Sequence, residues 1–266
     1  MRQSSKPALS HFYYLFISKK QKMKSLLLTI TLALFGYSAS FACDKCSKFA
    51  NSPDFQIKSA KVVHNKRFGT LEFEIAVAGK AGNTKPTPIG KLDMAPVLAY
   101  VFPTSLKSED VGFSSTAGIV ALALTSHPDF DDSPIWDENA DGNFENDGIV
   151  WHPHWVVLVE DKRVKGGLAV KEHKKADTVR KPKTAPDMPM FMDSPGFPVV
   201  TAGNTITVSV PVYRVSNKVS FNYDAVTCYL EVSAPSGSMS MDKPMLGVYN
   251  VFSVLSKDLS LPFKVK

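Results

Sequence analysis

The residues of this 266-residue chain best suited to metal chemistry lie in Ile149-Val150-Trp151-His152-Pro153-His154-Trp155-Val156-Val157-Leu158-Val159. The run is β-branched and aromatic, and it reads as a strand. Residues i and i+2 of a strand share a face. His152 and His154 are therefore expected side by side, with Trp151, Pro153 and Trp155 facing the other way. Two imidazoles on one strand face can hold Zn²⁺ or copper if one or two further ligands arrive from elsewhere. The other histidines beyond position 42 are His64, His127 and His173. His64 ends a plausible strand and His127 stands close to Asp129, so either can complete the site; His64 is the first choice.

Just upstream, Asp137-Glu138-Asn139-Ala140-Asp141-Gly142-Asn143 carries the D-x-[DN]-x-[DN]-G string of an EF-hand-type loop. Hard Ca²⁺ takes six to eight oxygens, and side-chain oxygens at loop positions 1, 3 and 5 converge on one point. Gly142 permits the sharp turn, and Asn143 supplies a backbone carbonyl. Position 12, where an EF-hand places glutamate, is Gly148, and the flanks are not helical. The expectation is a calcium loop inserted between strands, held by Asp137, Asn139, Asp141 and Asn143 and closed by Asp147 or Glu145. Asp129, Asp131 and Asp132 are available for a second ion or a supporting shell. The plainer alternative is an acidic, Asx-rich surface turn.

Softer ligands are also present. Seven of the nine methionines lie beyond position 42, and six of these form two groups: Met188, Met190 and Met192, and Met239, Met241 and Met245. Thioethers favour Cu(I), although methionine is equally an ordinary gap-filler in apolar cores. Cys43 and Cys46 form a C-x-x-C, and Cys228 stands apart. A Cys43–Cys46 or a Cys46–Cys228 disulfide is open to an exported chain.

The elements that must position these groups are strands. Leu71–Val77 alternates with period two, and 97–101, 118–124, 150–159, 205–212, 227–232 and 248–254 are β-branched or aromatic runs bounded by turn residues. Eighteen prolines and the lack of any long 3.6-residue period argue against helices. The pattern predicts an all-β fold, sandwich-like, with antiparallel sheets, long loops and the inserted calcium-binding loop. The polar, Lys- and Pro-rich stretch 161–198 reads as one long excursion packed on the sheet.

The beginning of the chain is of another kind. Lys22 and Lys24 precede the apolar run 25–35, and Ser40-Phe41-Ala42 offers small residues for cleavage. Residues 23–42 thus read as a secretory signal peptide, residues 1–22 as an upstream extension, and residues 43–266 as a single β-rich domain. The expected location is the periplasm, the cell surface or the medium, with an outer-membrane surface or a transporter as partner. Six of the 31 Lys and Arg lie in residues 1–42, which hold no acid; the remaining 25 are matched by 25 Asp and Glu. The domain itself has no net positive field, which removes the electrostatic case for nucleic acid. G-x-S-x-G, H-E-x-x-H and glycine-rich phosphate loops are all missing. An enzymatic reading would therefore be a metal-dependent hydrolase or oxidase, favoured by a third histidine near His152 and His154 beside an empty cleft. A calcium-stabilised surface module without a second metal would be favoured by buried tryptophans and histidines bonded to backbone.

With its export signal, calcium loop and Trp-His strand, the chain resembles the copper-repressible, surface-associated copper-binding proteins of methane-oxidising bacteria. That resemblance implies one Cu(I) held by two histidines beside a tryptophan oxidised to kynurenine, with calcium elsewhere in the fold. His152 or His154 would be a ligand, and Trp151 or Trp155 the oxidised partner. The family pattern is Trp-x-His, whereas this chain has Trp-His-Pro-His. The expected function is acquisition or sequestration of copper(I), with Zn²⁺ as the alternative ion.

Overall fold

The computed structural model describes residues 44–266 apart from 144–146, 175 and 235–241. The leader, Cys43, Glu145, Met239 and Met241 lie outside the described residues. A short helix α1 (Asp44–Ala50) leads into thirteen strands. They are β1 (Ile57–Asn65), β2 (Thr70–Val77), β3 (Pro96–Pro103), β4 (Ile119–Ser126), β5 (His152–Glu160), β6 (Leu168–Val170), β7 (Met192–Asp193), β8 (Val199–Ala202), β9 (Thr205–Pro211), β10 (Asn222–Tyr223), β11 (Val226–Val232), β12 (Leu246–Val254) and β13 (Phe263–Lys264). All pairings are antiparallel. Among the described residues no helix is long and apolar enough to cross a membrane.

Among the described residues eleven strands form two packed layers, one of which closes, and β10 and β13 pair separately. A four-stranded sheet runs in the order β1-β2-β9-β8. The larger sheet runs β4-β3-β11-β12-β6-β5-β7, and β4 also pairs with β5. That last pairing, from Ile119↔Leu158 to Thr125↔His152, turns six strands into a barrel. The expected sandwich-like arrangement is corrected accordingly: one layer is closed on itself rather than open. The physical reason lies in β5, which bonds β4 along one edge and the short strands β6 and β7 along the other.

Closure explains the burial patterns. β2 alternates strictly between half-buried and buried residues, because only one of its faces meets the core. β3 is buried at every position and β4 at all but its first. Their outward side chains Leu98, Tyr100, Phe102, Leu122 and Leu124 pack against Phe73, Ile75 and Val208 of the outer sheet. Inward, Val97, Ala99, Val101, Ala121, Ala123, Val156, Cys228 and Val248 form a second apolar cluster inside the barrel. A strand buried on both faces loses the alternation that marks a half-buried one. The excursion 161–198 contributes β6 and β7, so part of it is barrel wall.

Candidate metal centre

At one end of the barrel, His127, Asp132, His152 and His154 bring one ligand atom each to within 4.8 Å of one another. Such a buried His/Asp group can bind a metal ion. All four are buried, with 6% exposure or less. The placement follows from register: Thr125 pairs with His152 and Ala123 with His154. The barrel-facing series of β4, Ala121, Ala123 and Thr125, continues at spacing two to His127, just past the strand. Asp132 arrives from the loop between β4 and β5.

Each imidazole is fixed by an oxygen at Nδ1. His127 Nδ1 lies 2.8 Å from the Phe130 carbonyl, and His152 Nδ1 lies 2.7 Å from the Val150 carbonyl and 3.1 Å from Glu138 Oε2. His154 Nδ1 lies 3.1 Å from Ser194 Oγ, whose own hydrogen goes to the Asp132 carbonyl at 2.7 Å. A carbonyl only accepts, and Ser194 has already spent its donor, so all three Nδ1 atoms carry hydrogen. Each Nε2 is then the ligand atom. Oxygen partners of this kind orient metal-binding histidines and raise their basicity.

The ligand atoms converge. Asp132 Oδ1 lies 3.4, 3.3 and 3.4 Å from the Nε2 atoms of His127, His152 and His154. Bonds of about 2.0–2.1 Å in a tetrahedron give ligand–ligand edges of about 3.3–3.4 Å. His127 Nε2 and His152 Nε2 are only 2.8 Å apart, a contact that requires a proton or a cation between them. Asp132 Oδ1 and His154 Nε2 have no hydrogen-bond partner, although both are buried.

The electrostatics fit a site that wants positive charge. Burial opposes the imidazolium of His152, but the close carboxylates of Asp132 and Glu138 outweigh it and raise the pKa to about 10. Burial, reinforced by the neighbouring histidines, pushes His154 down to about 3. Burial would also raise the Asp132 carboxyl, yet the close histidines hold it well below the ordinary carboxylate range.

His152 and His154 stand together as the sequence predicts, with ring centroids 4.8 Å apart. His64, the first choice for third ligand, is corrected. It lies on β1 in the outer sheet, half-buried and paired with Leu71. His127 stands beside them instead, with Asp132 as the fourth member of the cluster. The signal for both was a histidine immediately past an apolar strand, followed by Pro-Asp-Phe-Asp-Asp. Trp151 and Trp155 face the outer sheet: Trp151 packs on Tyr100 and donates from Nε1 to the Gly82 carbonyl at 2.8 Å, while Trp155 meets Phe73 edge-on. Both indoles belong to the apolar cluster on the far side of β5 from the histidines.

The loop 137–143 is tightly wound. Asp137 accepts from the amides of Asp141 and Gly142, Asn139 Oδ1 from Asp141, and Asp141 from Asn143. Asp147 accepts from the Asn139 amide at 3.1 Å and is fully buried. Cys46 is disulfide-bonded and Cys228 is a free thiol, which rules out a Cys46–Cys228 bridge. Met190 and Met192 are buried in the barrel cluster.

The chain matches no protein-family model, no curated protein and no solved structure, and the geometry of the cluster alone carries the functional reading.

Proposed function

We propose that this protein is an exported metalloprotein in which His127, Asp132, His152 and His154 hold one divalent transition-metal ion as a resident centre. The observation that carries the reading is the convergence of three Nε2 atoms on Asp132 Oδ1, with every Nδ1 tied to an oxygen. Imidazoles suit zinc, iron and copper, and a carboxylate among them favours a divalent ion over copper(I). Burial of all four residues favours slow exchange, as in a resident centre. The buried tryptophans and the His152 bond to the Val150 carbonyl favour the surface-module reading, but the buried Nε2 of His154, without a hydrogen-bond partner, speaks against it.

Copper acquisition, as the family resemblance implies, is the second reading. It is favoured by the Met192 side chain, which lines the same interior space as His154. Metal analysis of protein purified after export, beside His154→Ala and Asp132→Ala variants, separates the two. About one zinc or iron per chain, lost in both variants, supports the resident centre. Near-stoichiometric copper supports acquisition, and no transition metal in any sample overturns both.

Calcium is proposed for the loop of Asp137, Asn139, Asp141, Asn143 and Asp147. What supports it is a cluster of carboxylates that repel one another without a cation. Burial, and then the charges of Asp132, Glu138 and Asp147, outweigh a backbone hydrogen bond and raise the Asp131 carboxyl. The buried Oδ2 atoms of Asp131 and Asp147 have no hydrogen-bond partner.

A further inference from the structure

The barrel interior is not filled. A six-stranded barrel is narrow enough for side chains to occupy it completely, yet here alanines stand at inward positions such as Ala99 and Ala123. They leave a cavity of about 90 Å³ with contributions from all six strands. Its wall is almost wholly apolar, with Val97, Val156, Leu230 and Val248 beside the alanines. Its polar end is formed by Thr125, His127, Asp132 and His154. The cavity and the metal cluster thus share three residues, His127, Asp132 and His154.

We infer that this cavity binds a neutral, gas-sized molecule of two or three heavy atoms and presents it to the metal. The inference rests on the metal reading above. Water needs two to four polar partners to stay in a cavity, and away from the polar end the wall offers it none. A charged or strongly hydrated ligand would have to shed its shell without compensation. Size sets the other bound, because an apolar cavity of about 150 Å³ takes benzene or xenon. The smaller space here admits xenon or a diatomic but not a ring. Entry is apolar too: at the opposite end of the lining Val251, Leu259 and Leu261 are partly exposed. Leu259 and Leu261 adopt positive φ, 59° and 53°, a conformation rare for leucine.

Xenon binding, followed by ¹²⁹Xe NMR on the metal-loaded protein, tests the cavity without relying on any activity. A second arm loads the site with iron(II) and follows nitric oxide binding by EPR. Saturable xenon binding that weakens at least about tenfold in Ala99→Leu, through steric filling, supports the inference, provided the metal content is unchanged. The milder Ala123→Val serves if Ala99→Leu fails to fold. An iron-nitrosyl signal in the parent protein that is lost in the filled variant supports presentation to the metal. Stoichiometric metal with no xenon binding overturns the cavity and leaves the metal centre standing. Xenon binding with no nitrosyl signal on iron-loaded protein overturns presentation to the metal. Failure to retain any metal is read separately and overturns the reading beneath.

Discussion

Ser194 shows how closely the proposed centre would depend on a group outside its ligand set. Its hydroxyl joins the Asp132 carbonyl to His154 Nδ1 and so fixes two of the four ligands at once. Ser194→Ala keeps every ligand yet removes that link, and the expected loss is about 10–100-fold in metal affinity, read by competition with a chromogenic chelator. Cys228 makes a contrasting case. Burial alone pushes its thiol up to about 12. Native protein should resist iodoacetamide at pH 8, whereas urea-unfolded protein should react. The sign for stability follows from the raised value. Unfolding restores a thiol that ionises near pH 8.5, so this contribution is complete below that pH and is lost as pH rises toward 12. Urea midpoints falling between pH 8 and 11, and falling less in Cys228→Ala, would bear this out.

The strand β5 separates two tasks on two faces. His152 and His154 point into the barrel end, and Trp155 packs on the outer sheet. Trp155→Ala should cost about 3–5 kcal/mol of stability by urea denaturation, because it empties a fully buried site. Metal content per folded chain should not change, and a parallel loss of metal would contradict the two-face separation. This division was legible in the sequence, because period two follows from strand geometry and needs no tertiary knowledge. The seven apolar runs were legible for the same reason, and each holds a strand. β6 and β7 were not: they have three and two residues inside a polar, proline-rich stretch, too short for any pattern. The choice between His64 and His127 was equally hidden. It depends on which sheet each strand joins, and that is a pairing decision taken across the whole chain.

Barrel closure belongs to the whole molecule, and no local signal announces it. It rests on the pairing of β4 with β5, whose connecting loop carries both Asp132 and the acidic turn. Metal and calcium should therefore act on global stability. Stripping the transition metal with a strong chelator should lower the thermal midpoint by several degrees, since an ion at 1,000 times its dissociation constant contributes about 4 kcal/mol. A calcium-selective chelator should produce a second, separable drop, and an unchanged midpoint would remove calcium from the proposal.

Gly148 stands at loop position 12, where an EF-hand carries its bidentate glutamate. A side chain there is impossible, because a Cβ would come within 2.1 Å of the Phe130 carbonyl and 2.7 Å of His127 Nδ1. The proposed calcium turn and the proposed metal cluster thus meet at one residue: the backbone of His127 and Phe130 closes on Gly148, and restoring a glutamate there would push on the segment that carries His127.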